Sequence, residues 1–221
     1  MVGQSLCVRI GRWVFPRSPI ASDMELTAGV IAVQGDVSEH AAAIKQAGGA
    51  HGTETTVREV RESGVVPDCD VLLLPGGEST TISRLLAQAE IAEEIIAHVD
   101  GGKPMLATCA GLIVAAEEAN DNRVETLDLL DVSIERNAFG RQRDSFEAEL
   151  TLAGLADPFP AVFIRAPVVD RVGDGVEVLA RWDGDPVAVR QGPVVATAFH
   201  PELTGDPRLH DLAFFGSETT V

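Results

Sequence analysis

The feature that most constrains this chain is a series of short, fully apolar segments that alternate with helical patterns in its first half. The predicted order is strand 28–34, helix from about 38 to 47, strand 70–77, helices 80–88 and 91–99, strand 104–108 and helix 110–119. Strands that are apolar on both faces and separated by helices are typical of a parallel sheet covered on both sides. The sequence therefore predicts a three-layer α/β fold with an open, mainly parallel sheet.

The pattern changes after about residue 127, where short strand-like runs are separated by Gly, Asp and Pro. These runs are LLDVSI, SFEAELTL, AVFIRAPVV, VEVLARW, PVAVR and PVVATAF. Such runs predict antiparallel or mixed strands, which either extend the same sheet or form a small sheet beside it. A short last helix is predicted at about 207–215. We expect residues 24–221 to form a single domain.

The first 23 residues differ from the rest in charge. They contain three Arg and one Asp, which gives this segment a net charge of +2. Because the whole chain has a net charge of −17, the other 198 residues together carry −19. They contain no long apolar segment of the kind found in signal peptides. Our hypothesis is that Met24 is the natural start and that residues 1–23 are an extension, either not native or disordered.

The net charge of −17 comes from 34 acidic and 17 basic residues. This balance argues against a nucleic acid or an anionic membrane as partner, and no apolar run reaches the roughly 18 residues of a membrane span. The acidity suits either a protein kept in solution at high salt or an ordinary acidic enzyme. The three cysteines form no paired framework and no export signal is apparent, so we expect a cytoplasmic location.

Cys109 follows a predicted strand and precedes a predicted helix. A cysteine at such a turn has the arrangement of a nucleophile elbow, in which the side chain projects above the sheet and the helix dipole favours a thiolate. The tight turn requires small neighbours, which Ala107, Ala110 and Gly111 provide. For an isolated cysteine, a buried structural role is the more frequent alternative.

The motif His200-Pro201-Glu202 closes the last predicted strand. A histidine there can face the elbow from a neighbouring strand, and Glu202 can accept the other ring N–H and fix the tautomer. The alternatives are a solvent-facing histidine beside a capping Glu and a zinc deaminase site. We discount the deaminase because its signature needs a later PCxxC, and no cysteine follows Cys109. The other histidines lack metal-ligand spacing, so no metal site is predicted.

A Gly-rich loop, Pro75–Thr81, joins a buried strand to a helix at the edge of the sheet where open α/β folds bind ligands. The pair Gly76 and Gly77 allows backbone N–H groups to face a developing oxyanion. A phosphate cradle and a plain capped turn are the alternatives, although Glu78 would repel phosphate. Arg136 and Arg165 flank apolar strands and suit bidentate binding of a carboxylate, but each signal is weak alone.

Together these segments resemble the triad (class I) glutamine amidotransferases, and among them the glutaminase subunits of pyridoxal 5′-phosphate synthase. The matching stretches are VIAVQGDVSEH (30–40), LLLPGGESTT (72–81), KPMLATCAGLI (103–113), ERNAFGRQRDSFEAEL (135–150), VFIRAP (162–167) and FHPELTGD (199–206). The resemblance implies a flavodoxin-like fold and hydrolysis of L-glutamine to L-glutamate and ammonia. Cys109 would be the nucleophile, His200 the general base and acid, and Glu202 the residue that orients His200.

The resemblance also implies further site residues and a partner. Glutamine would be held by Gly77, Glu78, Ser79, Arg136, Ile164 and Arg165, and the oxyanion site would involve Gly76, Gly77 and Gln34. Ammonia would pass to a (β/α)₈-barrel synthase subunit in a large hetero-oligomer, and the glutaminase itself would need no metal or organic cofactor. Two alternatives are a non-enzymatic binding subunit and a glutaminase that serves a different synthase.

Overall fold

The computed structural model describes residues 25–135 and 145–216. The predicted extension at residues 1–23 and Arg136 lie outside the described residues. The first half contains β1 (Glu25–Ile31), α1 (Val37–Ala50), β2 (Glu54–Val60), β3 (Val71–Leu74), α2 (Ser79–Gln88), α3 (Ala92–Asp100), β4 (Met105–Thr108) and α4 (Ala110–Ala115). The second half contains β5 (Ala116–Glu118), β6 (Leu130–Glu135), β7 (Ser145–Leu150), β8 (Phe159–Ile164), β9 (Val168–Val172), β10 (Glu177–Trp182), β11 (Asp185–Gln191), β12 (Val194–Thr197) and α5 (Arg208–Phe214).

The central sheet has seven strands in the order β10-β11-β12-β4-β3-β1-β2. The five strands from β12 to β2 run parallel, while β10 and β11 add antiparallel strands at one edge. Every residue of β3, β4 and β12 is buried, which explains why these segments are continuously apolar. Helices flank the sheet, with α1 against α5 and α2 against α4. The predicted three-layer, mainly parallel α/β fold is confirmed.

The later strands take both predicted forms. Strands β10 and β11 extend the central sheet, whereas β5, β6 and β9 form a three-stranded sheet and β7 and β8 form an antiparallel pair. The run at 161–169 is two strands rather than one, because Arg165 has a φ of 45° and breaks the extended backbone. This break aims residues 164 and 165 toward the functional edge of the sheet.

One prediction in the first half is wrong, and one strand was not predicted. The helix predicted over 110–119 ends at Ala115, because residues 116–118 form β5 and pair with β6. The Glu117 side chain also forms an ion pair with Arg171 of β9, on the other side of β6. Strand β2 was not predicted, since it is an edge strand of sequence ETTVREV in which Val60 is its one buried residue.

Candidate active site

Four loops meet at one edge of the central sheet. They follow β1, β3, β4 and β12, which are neighbouring parallel strands, so their carboxyl ends lie side by side. These loops carry Gln34, the Gly76-Gly77 pair, Cys109 and His200 respectively. The order of the sheet thus collects residues that are up to 166 positions apart in the sequence at the edge where open α/β sheets bind ligands.

Cys109 lies in a strained turn between β4 and α4. Its φ of 50° and ψ of −108° are unusual for a residue with a side chain, and its backbone N–H donates to the carbonyl of Thr197 over 2.8 Å. The helix that follows passes so close to β3 that a Cβ on Gly111 would collide with the carbonyl oxygen of Leu74. This is the geometry of a nucleophile elbow, and it explains the small residues around Cys109.

His200 and Glu202 are joined behind the cysteine. Nδ1 of His200 lies 2.7 Å from Oε1 of Glu202, and the Glu202 side chain is fully buried. The backbone N–H of His200 donates to the carbonyl of Val162, which ties the turn after β12 to β8. With Nδ1 occupied by Glu202, the nitrogen that remains for proton exchange is Nε2.

The electrostatics favour a charged imidazole. Burial lowers the pKa of His200, but its hydrogen bonds to Cys109 and Glu202 raise the pKa by more, to about 10. Burial raises the pKa of Glu202, and the interaction with His200 opposes that shift. An imidazolium next to Cys109 stabilises a thiolate, which is the reactive form of a cysteine nucleophile.

The loop after β3 approaches the triad closely. A Cβ on Gly76 would lie 2.7 Å from Cε1 of His200 and 3.2 Å from Cβ of Cys109, so glycine is required there by space. Gly77 has a φ of 137°, a backbone conformation that favours glycine. The side-chain oxygen of Gln34 accepts a hydrogen bond from the backbone N–H of Glu78 over 2.7 Å. Gln34 therefore contacts the loop predicted to bind the oxyanion.

These loops enclose a cavity of 370 Å³, a size typical of small-molecule sites. Of the residues predicted for the site, it is lined by Gln34, Gly77, Glu78, Ser79, Cys109, Ile164, Arg165 and His200. Gly76 and Glu202 lie behind this surface, against His200. The Cys109 thiol lies 3.9 Å from the carbonyl oxygen of Ile164, so the strand break at Arg165 brings backbone to the nucleophile. The hydroxyl of Ser79 is buried and has no hydrogen-bond partner among the described residues.

Five residues that line the cavity were not singled out from the sequence as site residues, and two of them, Asp36 and Ala110, lie where they can affect the chemistry. Asp36 lies with its carboxylate 3.6 Å from Nδ1 of His200, and its signal was its position two residues after Gln34 in the same loop. Ala110 lines the cavity at the start of α4. The first N–H groups of a helix have no partner within it, and the residue after an elbow nucleophile commonly donates to the oxyanion.

One group of side chains has the spacing of a metal site. The donor atoms of Asp36, His200 and Glu202 lie within 4.8 Å of one another. Nδ1 of His200 and Oε1 of Glu202 already form a hydrogen bond to each other, and an ion would have to replace it. We therefore interpret the group as part of a proton-transfer arrangement.

No helix within residues 25–135 and 145–216 has the length and hydropathy needed to cross a membrane.

Comparison with known proteins gives the family. The family model of the SNO glutamine amidotransferase family matches residues 30–217. This chain belongs to that family. The matched region of this SNO family member includes every described residue of the candidate site, from Gln34 to Glu202.

Individual relatives agree with this assignment. The SNO family chain is 72% identical over 192 residues to the pyridoxal 5′-phosphate synthase subunit PdxT of Halobacterium salinarum, covering 87% of this chain and 95% of the relative. It is 70% identical over 194 residues to the subunit of the same name from Haloarcula marismortui, covering 88% and 98%.

Solved structures match the fold of the SNO family chain. A crystal structure of a glutamine amidotransferase superposes with a TM-score of 0.74 at 48% identity, covering 83% of this chain and 94% of that one. A glutamine amidotransferase from Thermotoga maritima, at 12% identity, superposes with a TM-score of 0.54 over 84% of this chain and 88% of that one. The second likeness concerns the fold alone.

Proposed function

We propose that this chain is the glutaminase subunit of a pyridoxal 5′-phosphate synthase. It hydrolyses L-glutamine to L-glutamate and ammonia and supplies the ammonia for vitamin B6 biosynthesis. The observation that carries the proposal is the meeting of Cys109, His200 and Glu202 at one edge of the sheet, inside the region that matches the family. The relatives named as synthase subunits support the choice of pathway.

In the first half-reaction, the Cys109 thiolate attacks the side-chain carbonyl carbon of glutamine. The carbonyl oxygen becomes an oxyanion, for which backbone N–H groups of Gly77 and Ala110 are the donors that we assign. Nε2 of His200 then gives its proton to the amide nitrogen. The carbon–nitrogen bond breaks, ammonia leaves and a glutamyl thioester remains on Cys109.

In the second half-reaction, His200 takes a proton from water as the oxygen attacks the thioester carbon. The carbon–sulfur bond breaks, glutamate leaves and Cys109 returns as the thiolate beside the protonated ring. Glu202 holds the ring by Nδ1 throughout and stabilises its charged form. Protons and bonds balance over the cycle with water as the sole co-reactant.

The cavity offers groups that match the ends of glutamine. Arg165 suits the α-carboxylate and Glu78 suits the α-ammonium, and both line the cavity. The unpartnered Ser79 hydroxyl is placed to hydrogen-bond the substrate. Ile164 supplies backbone beside the nucleophile. Arg136, which lies outside the described residues, stays a predicted second contact for the carboxylate.

The partner that we propose is a (β/α)₈-barrel synthase subunit, joined to this chain in a large hetero-oligomer in the cytoplasm. A free ammonia molecule is lost easily to solvent, so a glutaminase that serves a synthase must release it close to the acceptor site. The hydrogen bond from the Glu78 backbone to Gln34 links the predicted oxyanion loop to the neighbouring β1 loop, so a partner that contacts the β1 loop could act on the oxyanion loop through it. The cytoplasmic location is supported by the unpaired, buried Cys69 and Cys109.

The test is glutamate release by the chain alone and with the synthase subunit, together with co-purification of the two from native cells. We expect co-purification, and glutaminase activity that requires the partner and is lost in Cys109→Ala. Activity that survives Cys109→Ala in the complex would exclude Cys109 as the nucleophile. Co-purification with a different synthase would redirect the ammonia to another pathway.

A further inference from the structure

A second cluster of polar side chains lies behind the triad and has no part in the mechanism above. It consists of His40 on α1, Thr108 at the end of β4 and His210 on α5, each fully buried. Buried polar groups are costly unless they are hydrogen-bonded, and three of them from three elements require a specific arrangement. We call these three residues the rear cluster.

His40 is the centre of the rear cluster. Its Nε2 lies 3.1 Å from the hydroxyl of Thr108 and 3.5 Å from Oε2 of Glu202. Its Nδ1 lies 3.1 Å from Nε2 of His210. Oε2 of Glu202 has no hydrogen-bond partner among the described residues, so His40 is the polar group that faces this buried oxygen. The same ring nitrogen thus touches the carboxylate that orients His200 and the residue that precedes Cys109.

The protons of the two rings follow from their surroundings. Burial lowers the pKa of His40 well below its usual range and that of His210 to about 3, so both rings are neutral at neutral pH. If Nε2 of His40 carries the proton, it donates toward Thr108 and Glu202, and Nδ1 accepts from Nε2 of His210. Within the two histidine rings, Nδ1 of His210 is then an acceptor without a hydrogen-bond partner among the described residues.

The opposite tautomer is less favourable for two reasons. It would aim the lone pair of His40 Nε2 at the negative oxygen of Glu202, and it would leave a buried N–H on Nδ1 of His210 without an acceptor. A buried donor without a partner costs the desolvation of that group. We therefore assign the proton of His40 to Nε2.

We propose that His40 is a positioning residue for glutamine hydrolysis, whose Nε2–H fixes Glu202 and the Thr108–Cys109 turn relative to each other, with His210 setting its tautomer. This inference rests on the proposed function for its kinetic test. The position of the His40 ring explains how Oε2 of Glu202, which has no hydrogen-bond partner among the described residues, can be buried: the Nε2–H group faces this oxygen from 3.5 Å. A fixed Glu202 keeps the His200 ring aligned with the Cys109 sulfur during both proton transfers.

Three substitutions of His40 separate positioning from packing. His40→Gln places an amide N–H at the reach of Nε2, His40→Asn places an amide near Nδ1, and His40→Leu keeps the volume without polar atoms. In the complex with the synthase, we expect His40→Asn and His40→Leu to lower kcat for glutamine hydrolysis by roughly 10²-fold, the cost of a displacement near 1 Å, with KM within about twofold. We expect His40→Gln to recover most of the loss.

A second readout follows the thiolate without any glutaminase assay. The rate of Cys109 alkylation by iodoacetamide is measured against pH on the full chain, with Cys109→Ala as the blank for Cys7 and Cys69. The charged groups that face His200 are Glu202, Asp36 and the Cys109 thiolate, while His40 and His210 stay neutral. A misplaced Glu202 lowers the pKa of His200, so alkylation near neutral pH should slow and its midpoint should move to higher pH.

Loss of structure has the opposite signature, because a loosened site exposes Cys109 and speeds its alkylation. The proposal is overturned if His40→Gln and His40→Asn have equal kcat, or if alkylation accelerates in proportion to lost thermal stability. If no His40 variant folds, Thr108→Val and Thr108→Ser provide the test, because valine lacks the hydroxyl that faces His40 and serine keeps it. We expect a several-fold loss of kcat in Thr108→Val that is restored in Thr108→Ser. Equal kcat in the two variants overturns the proposal. Absence of glutaminase activity in the wild-type complex would refute the proposed function, while the alkylation profile would still test His40.

Discussion

A single methyl group added at Gly76 tests whether the spacing of the triad controls the chemistry. In Gly76→Ala, the new Cβ would lie 2.7 Å from Cε1 of His200 and 3.2 Å from Cβ of Cys109. The φ of Gly76 lies outside the left-handed region, so the substitution adds bulk without backbone strain. The ring of His200 is the group in its path.

The size of the effect follows from these distances. Restoring an ordinary carbon–carbon contact of about 3.5 Å from 2.7 Å requires a displacement of about 0.8 Å, shared between the loop and the ring. The ring cannot yield freely, because Nδ1 is held by Glu202 over 2.7 Å. Misplacements near 1 Å cost about 10²-fold in rate, so we expect kcat to fall by about 10- to 100-fold. Overpacking costs about 1–3 kcal/mol of folding stability.

The assay is steady-state glutamate release by the complex with the synthase, with thermal unfolding of each variant measured in parallel. Gly49→Ala is the matched control, because the same methyl group there meets nothing within 4 Å and lies in helix α1, where alanine is favoured. We expect the control to keep wild-type kcat and to be as stable or slightly more so. A kcat for Gly76→Ala within twofold of wild type would refute the argument that His200 is held at this spacing.

Three further predictions concern substrate binding, pH and salt. Ser79→Ala should raise KM for glutamine about two- to tenfold, because one hydrogen bond to the substrate, worth about 1 kcal/mol, is lost. Thermal stability should not fall. An unchanged KM would show that Ser79 does not bind the substrate. In the unfolded chain His210 takes up a proton below its usual pKa of 6.5, whereas burial in the folded chain lowers this pKa to about 3. The folded state is therefore not penalised by His210 above pH 6.5, and the free energy of unfolding falls as the pH drops from 6.5 towards 3. Denaturant titrations should therefore show His210→Gln with a pH slope shallower by about 1.4 kcal/mol per pH unit between pH 6 and 4, and parallel slopes would contradict a neutral buried ring. Because the chain carries a net charge of −17, we expect molar salt to screen the repulsion between its acidic side chains and to improve folding or assembly with the synthase. If raising the salt from low concentration weakens both, the hypothesis that the acidic composition is an adaptation to high salt is wrong.

The parts of the fold that were predictable have signals within a few residues. Strands β3, β4 and β12 are buried on both faces, so their sequences are continuously apolar. The turn at Cys109 combines a strand end, a helix start and small neighbours, and the structure brings these together at the elbow. Strand β2 gives no comparable signal, because an edge strand that is mostly exposed has no apolar pattern.

The parts that were not predictable depend on contacts between distant segments. Residues 116–118 continue a helical pattern in the sequence, but in the fold they pair with β6 as a strand. His40 and His210 are 170 positions apart, and no spacing in the sequence indicates that they share a hydrogen bond behind Glu202. The approach of Asp36 to His200 likewise depends on distant segments, because the loops after β1 and β12 reach the same cavity although β3 and β4 lie between the two strands.

The fate of the side-chain amide nitrogen of glutamine tests directly whether Cys109 releases the ammonia that the synthase uses. The complex of this chain with its synthase is given glutamine labelled with ¹⁵N in the side-chain amide, and the pyridoxal 5′-phosphate formed is analysed by mass spectrometry. We expect label in the product with the wild-type chain, none with Cys109→Ala, and recovery of unlabelled product when ammonium salt is added to that variant. Labelled product from the Cys109→Ala complex would show that Cys109 is not the nucleophile that releases this ammonia.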